Sequence, residues 1–146
     1  MTNASDVIVL TGNSGTGKTH LINNMRSHFG ARLYLVDGLL TDSAFVPPEP
    51  DTIDFVAVDH VSQLRDAVAT CTAALGWASL HRKLLILVEQ SLTDFEHLRI
   101  ALPVGYAGME LHGSAGADGI TLTRDGTRRH VQKGEFSSEM VRLQAS

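Results

Sequence analysis

Residues 7 to 19 read Val-Ile-Val-Leu-Thr-Gly-Asn-Ser-Gly-Thr-Gly-Lys-Thr, a short apolar run that empties into a glycine-rich turn ending in Gly17-Lys18-Thr19. The pattern Gly-x-x-x-x-Gly-Lys-Thr starts at Gly12 and demands a strand, a tight anion-cradling loop and a helix in immediate succession. Gly12, Gly15 and Gly17 let the backbone wrap closely and take dihedrals closed to other residues. The N–H groups of such a loop turn inward and form a concavity for phosphate oxygens, and the helix that follows adds its unpaired N–H groups and dipole. Lys18 supplies a point charge for the β- and γ-phosphates, and the Thr19 hydroxyl is positioned to ligate Mg²⁺. Asn13, Ser14, Thr16 and His20 complete the expected cradle for ATP or ADP.

The rest of the chain reads as alternating strands and helices. Residues 6–10 form the first strand, and Leu21, Ile22, Met25 and Phe29 put a helical stripe on 18–29, closed by Gly30. Strands are expected at 32–36, 53–58, 84–88 and 104–111, with helices at 61–78 and 93–102. The stripe of the longer helix is Leu64, Val68, Cys71, Leu75 and Ala78. Pro47, Pro48 and Pro50 keep 37–51 extended. Asp125-Gly126 between two alternating segments predicts a β-hairpin, after a small, flexible stretch at 113–119, and 138–144 suggests a last turn or two of helix. The fold class is therefore α/β: a three-layer P-loop sandwich with a mostly parallel sheet and a C-terminal hairpin. Its 146 residues suit one nucleotide-binding domain over 1–146, with a core at 6–112 and the hairpin and tail at 113–146.

Ligands of such sheets sit beyond the carboxyl ends of the strands, and three polar positions fall there. Asp59 ends Asp-Phe-Val-Ala-Val-Asp, where a carboxylate can share the Mg²⁺ shell with Thr19; an N-cap for the next helix is the other reading. His60 stands where many P-loop ATPases carry the glutamate that polarises water, and it is either a water-orienting imidazole or a solvent-facing first-turn residue. The fourth strand ends in Glu89-Gln90, where Gln90 can orient the attacking water or be an ordinary loop residue. Glu89 is the nearest spare carboxylate for a base, although alternation aims it opposite to Gln90.

Arg82 begins that strand at the far end from its own nucleotide. It is either a solvated cation or an arginine finger for a neighbouring subunit. Arg124, Arg128, Arg129, His130 and Lys133 cluster on the hairpin, where they suit contact with nucleic acid, phosphate or an acidic partner, or are merely solvated or protect a sheet edge.

Twelve lysines and arginines against 16 acidic residues give a net charge of −4, so there is no global basic footprint for nucleic acid. Cys71 has no partner for an intrachain disulfide and reads as a small buried hydrophobe. No apolar run is long enough to span a bilayer, and no basic stretch precedes the first apolar run. The expected location is the cytoplasm.

Taken together, the loop at 12–19, the strand at 54–59 and Arg82-Lys83-Leu-Leu-Ile-Leu-Val-Glu-Gln90-Ser91 resemble the FtsK/HerA superfamily of P-loop ATPases over residues 6–100. That resemblance implies phosphate and magnesium roles for Lys18 and Thr19, a Walker B role for Asp59 and a sensor role for Gln90. Arg82 would match the arginine that reaches across a ring in some members, which commonly form hexamers. The expected function is that of a Mg²⁺-dependent ATP hydrolase working as an oligomeric motor or assembly factor on DNA or a protein complex. A small-molecule kinase and a non-hydrolysing regulatory module are the alternatives. The kinase reading lacks an arginine-rich lid between Leu98 and Gly119.

Overall fold

Apolar runs with no polar alternation need cover on both faces, and the sheet provides it. The computed structural model describes residues 7–13, 15–40, 44–112, 119–124 and 126–145. Seven strands lie in the order β2-β3-β4-β1-β5-β6-β7, comprising β1 (Val7–Thr11), β2 (Leu33–Asp37), β3 (Phe55–Asp59), β4 (Leu84–Glu89), β5 (Ala107–Leu111), β6 (Ile120–Arg124) and β7 (Thr127–Val131). The first five are parallel, and β6 and β7 extend the sheet as an antiparallel hairpin. Gly126 takes φ 78° in the hairpin turn. Asp125 and the expected flexible stretch at 113–118 lie outside the described residues.

The two faces carry two cores. Ile8, Leu10, Phe55 and Ile86 meet Leu21, Ile22 and Met25 of α1 (Lys18–Phe29) and Phe136, Met140 and Leu143 of α4 (Phe136–Ala145). On the other face, Val9, Val56, Val58 and Leu87 meet Cys71, Ala74 and Trp77 of α2 (Ala67–His81) and Phe95 of α3 (Leu92–His97). Each such aliphatic side chain contributes about 1.5–3 kcal/mol by leaving water, which is what binds the layers together. The proline-bearing segment is extended only in part: 44–49 have no regular structure, but the Leu40 N–H turns back to the Asp37 carbonyl at 3.1 Å, Pro50–Thr52 form a 3-10 turn, and 41–43 lie outside the described residues. It is pinned by Phe45, stacked on Tyr34 at 5.6 Å and edge-on to Trp77 at 5.9 Å.

Several boundaries differ from the expectations, each for a local reason. The helix expected at 61–78 is broken at its start. Val61–Gln63 form a 3-10 turn, Leu64 is extended, and α2 starts only after Asp66, whose carboxylate caps it by accepting from the Ala69 N–H at 3.1 Å. The late start rotates the stripe, so that Val68 is exposed while Ala67, Thr70, Cys71, Ala74, Trp77 and Ala78 face the sheet.

The helix expected at 93–102 ends at His97. Arg99 adopts φ 59°, and the Ile100 N–H returns to the Phe95 carbonyl at 2.9 Å, a left-handed termination. β5 begins only at Ala107 because Gly105, at φ 87°, still belongs to the preceding turn. The tail forms a ten-residue helix, α4, longer than the turn or two expected.

Candidate functional site

The parallel register sets Thr11 beside Glu89 and Asp37 beside Asp59, so the polar ends of β1, β2, β3 and β4 share one edge of the sheet. β4 lies between β1 and β3, which brings Glu89 and Gln90 between the glycine loop and Asp59.

The loop itself is tightly built. The Gly12 N–H donates to the Gln90 carbonyl at 3.1 Å, and both the N–H and the hydroxyl of Thr16 bond the Asn13 carbonyl, at 3.2 and 2.7 Å. A Cβ on Gly12 would lie 2.5 Å from the Thr16 hydroxyl oxygen, so only glycine fits there. Gly17 takes φ 97° and precedes α1 without any side-chain cap, leaving the first-turn N–H groups of that helix turned to the loop mouth. Lys18 folds over the loop, its Nζ donating to the Gly12 carbonyl and, at 3.1 Å, to the Asn13 carbonyl. Burial lowers the Lys18 pKa, with Asp59 and Glu89 pulling the other way. Ser14 lies outside the described residues.

The Thr19 hydroxyl donates to Asp59 Oδ2 at 3.1 Å, which unites the two expected Mg²⁺ ligands. Asp59 is 3% exposed, and its carboxyl is raised above the usual range by burial, against the opposing pull of His60 and the Thr19 hydrogen bond. Its Oδ1 accepts from the His60 N–H at 2.8 Å, whereas the α2 cap is Asp66, so Asp59 is not an N-cap. Two adjacent hard oxygen donors, one anionic and buried, suit Mg²⁺ that draws its remaining ligands from phosphate and water. Among the described residues no three His, Cys, Asp or Glu side chains gather as a metal-binding group.

His60 is neither helical nor simply solvent-facing. It takes φ 52°, and its Nδ1 lies 2.9 Å from Asp37 Oδ1 and 3.6 Å from Asp59 Oδ1. Asp37 ends an apolar strand just as Asp59 does, but nothing in the local sequence marks His60 as its partner. Glu89 is buried, and its two oxygens accept from the Ser62 N–H at 2.6 Å and the Gln90 N–H at 2.8 Å. It therefore clamps the turn after Asp59 to the end of β4. Gln90 is exposed.

Lys18, Thr19, His20, Asp59, His60 and Glu89 line one cavity of about 550 Å³, together with Gly15, Gly17 and Gln90. A second cavity of about 1000 Å³ adjoins it and shares Gln90. It also touches Gly12, Asn13 and Thr16, and its floor includes Val9, Gly108, Thr121 and Thr123, on the sheet face that α2 and α3 pack against further along.

Arg82 is apart from this group. It caps α2 at φ 56° at the foot of β4, the end of the strand opposite Gln90. The basic hairpin cluster is not one patch. Arg129 pairs with Glu139 of α4, Arg128 borders the second cavity, and Lys133 is buried.

No protein-family model and no curated protein matches this sequence. Among solved structures, the chain is similar to a KaiC-like protein from the hyperthermophilic archaeon Pyrococcus horikoshii OT3, at 12% identity over 86% of this chain and 82% of that one, with a TM-score of 0.42.

Proposed function

We propose that the chain binds Mg²⁺-ATP at the loop of residues 12–19 and hydrolyses it slowly. The observation that carries this reading is the 3.1 Å contact between Thr19 and Asp59, set beside Lys18 at the mouth of an uncapped helix. Thr19 and Asp59 would hold Mg²⁺, whose charge would offset the negative charge that develops as the γ-phosphoryl group leaves. Lys18 would release its loop carbonyls to contact the β- and γ-phosphates, and the N–H groups around Gly15 and Gly17 would hold the remaining oxygens.

Slow turnover follows from how the candidate bases are engaged. The Glu89 carboxylate already accepts two backbone N–H groups. Water orientation would fall to Gln90 and to His60, whose Nδ1 lies 2.9 Å from the Asp37 carboxylate, a contact that would fix the ring's orientation. The motor or assembly role implied by the FtsK/HerA resemblance belongs to this proposal too. Arg82 is exposed and remote from its own loop, so it would act only on a neighbouring copy's nucleotide.

The kinase alternative draws support from the larger cavity, which shares Gln90 with the phosphate site and has room for an acceptor molecule. Phosphate release without an added acceptor favours hydrolysis, and turnover only with a hydroxyl substrate favours the kinase. The deciding measurement is calorimetric titration of Mg²⁺-ATP into the wild type and Lys18→Ala. The expected result is saturable heat in the wild type and an affinity about a hundredfold weaker in the variant. Equal binding by both proteins would refute the site. Sedimentation with and without Mg²⁺-ATP tests the oligomer.

A further inference from the structure

Lys133 follows β7, far along the chain from the glycine loop, yet it is only 8% exposed and reaches back to that loop. Its Nζ donates to the Thr16 carbonyl at 2.7 Å and to the His112 carbonyl, just past β5, at 2.8 Å. An ammonium taken out of water in this way needs strong acceptors, and two backbone carbonyls at these distances qualify.

The first of these bonds has a geometric consequence. In a trans peptide the carbonyl and the following N–H point in opposite directions. Lys133 holds the Thr16 carbonyl, so the Gly17 N–H must point away from Lys133. Gly17 lines the phosphate cavity, whereas Lys133 is not among its lining residues. Thr16 is locked further by its two bonds to the Asn13 carbonyl. A cation behind the loop also adds positive potential to the concavity in front.

We propose that Lys133 is a positioning residue for the phosphate cradle. It fixes the Thr16–Gly17 peptide with its N–H toward the anion, and it ties the hairpin and α4 to the occupancy of the loop. This rests on the nucleotide reading above. Coupling is reciprocal, so a bound triphosphate stiffens the β7–α4 segment as much as Lys133 favours the triphosphate.

The test compares the wild type with Lys133→Met, which keeps the bulk and loses the charge, and Lys133→Arg, which restores donors for both carbonyls. Calorimetry with Mg²⁺-ATP should show affinity reduced about tenfold or more in Lys133→Met and partly recovered in Lys133→Arg. Hydrogen exchange should show that saturating Mg²⁺-ATP slows amides across residues 127–143 in the wild type and leaves them unchanged in Lys133→Met. A merely structural lysine would not give that ligand-dependent difference.

Wild-type affinity and protection in Lys133→Met would overturn the inference while leaving the nucleotide reading intact. Absence of any heat in the wild type would instead defeat the nucleotide reading, and the inference with it. Should Lys133→Met fail to fold, the wild-type exchange experiment still decides, since no protection of 127–143 at saturation overturns the proposal.

Discussion

Asp59 ionises in surroundings that resist its charge, because burial raises its carboxyl above the usual value of 3.8. An acid whose pKa is raised by folding favours the fold while protonated, below its usual value, and loses that advantage as pH climbs through the raised value. At pH 7 the bare carboxylate is therefore a cost that a cation offsets. Asp59→Asn is expected to melt a few degrees higher than the wild type without ligands. The extra stabilisation that Mg²⁺ gives on top of ATP should be lost, and thermal melts at pH 7 check both. Asp59 and Lys18 were legible from their position alone, since strand ends and the glycine loop specify them. Asp37 was not, and Glu89 and Lys133 stood out only for other roles, as a candidate base and as part of the basic hairpin cluster. Their importance lies in which backbone or imidazole they touch, and those partners are separated in the chain by tens of residues.

The elements lean on side-chain bonds at their ends. Glu139 of α4 receives Arg142 at 2.6 Å and also pairs with Arg129 of β7, so one carboxylate joins the last helix to the edge strand. Burial pushes its carboxyl up, but the hydrogen bonds from Arg142 and Arg129 outweigh it and hold the group below its usual value of 4.5. A lowered acid contributes stability at pH above its usual value and surrenders it as pH falls through the lowered one. Glu139→Gln is expected to lose about 1 kcal/mol at pH 7, the modest figure reflecting half-exposed arginines, and that deficit should narrow at pH 3. Urea titrations at the two pH values read this directly. The strands were legible because continuous apolar runs admit few other structures, whereas helix starts depended on competition between caps. Asp66 prevailed over the segment after Asp59, and the left-handed Arg99 ended α3 early, neither of which hydrophobic spacing reports.

Across the whole molecule, two apolar layers enclose the sheet, and Cys71 sits within one of them at 0% exposure. Burial pushes its thiol up to about 12. Thiol reagents at pH 8 are therefore expected to modify the native protein only at the rate of global unfolding, and to react at once in denaturant, as a colorimetric thiol assay would record. The three-layer plan was legible because strands alternated with helices. The sheet order was not, since local sequence carries no signal for which strand lies beside which.

That order also has a consequence during synthesis. β1 emerges from the ribosome first, but its two neighbours are Leu84–Glu89 and Ala107–Leu111. A nascent chain can pair β2 with β3 long before its opening strand has a seat. The glycine loop is thus among the last parts to mature, and a stalled or truncated translation product is expected to lack the proposed grip on nucleotide even though the whole glycine motif is already made.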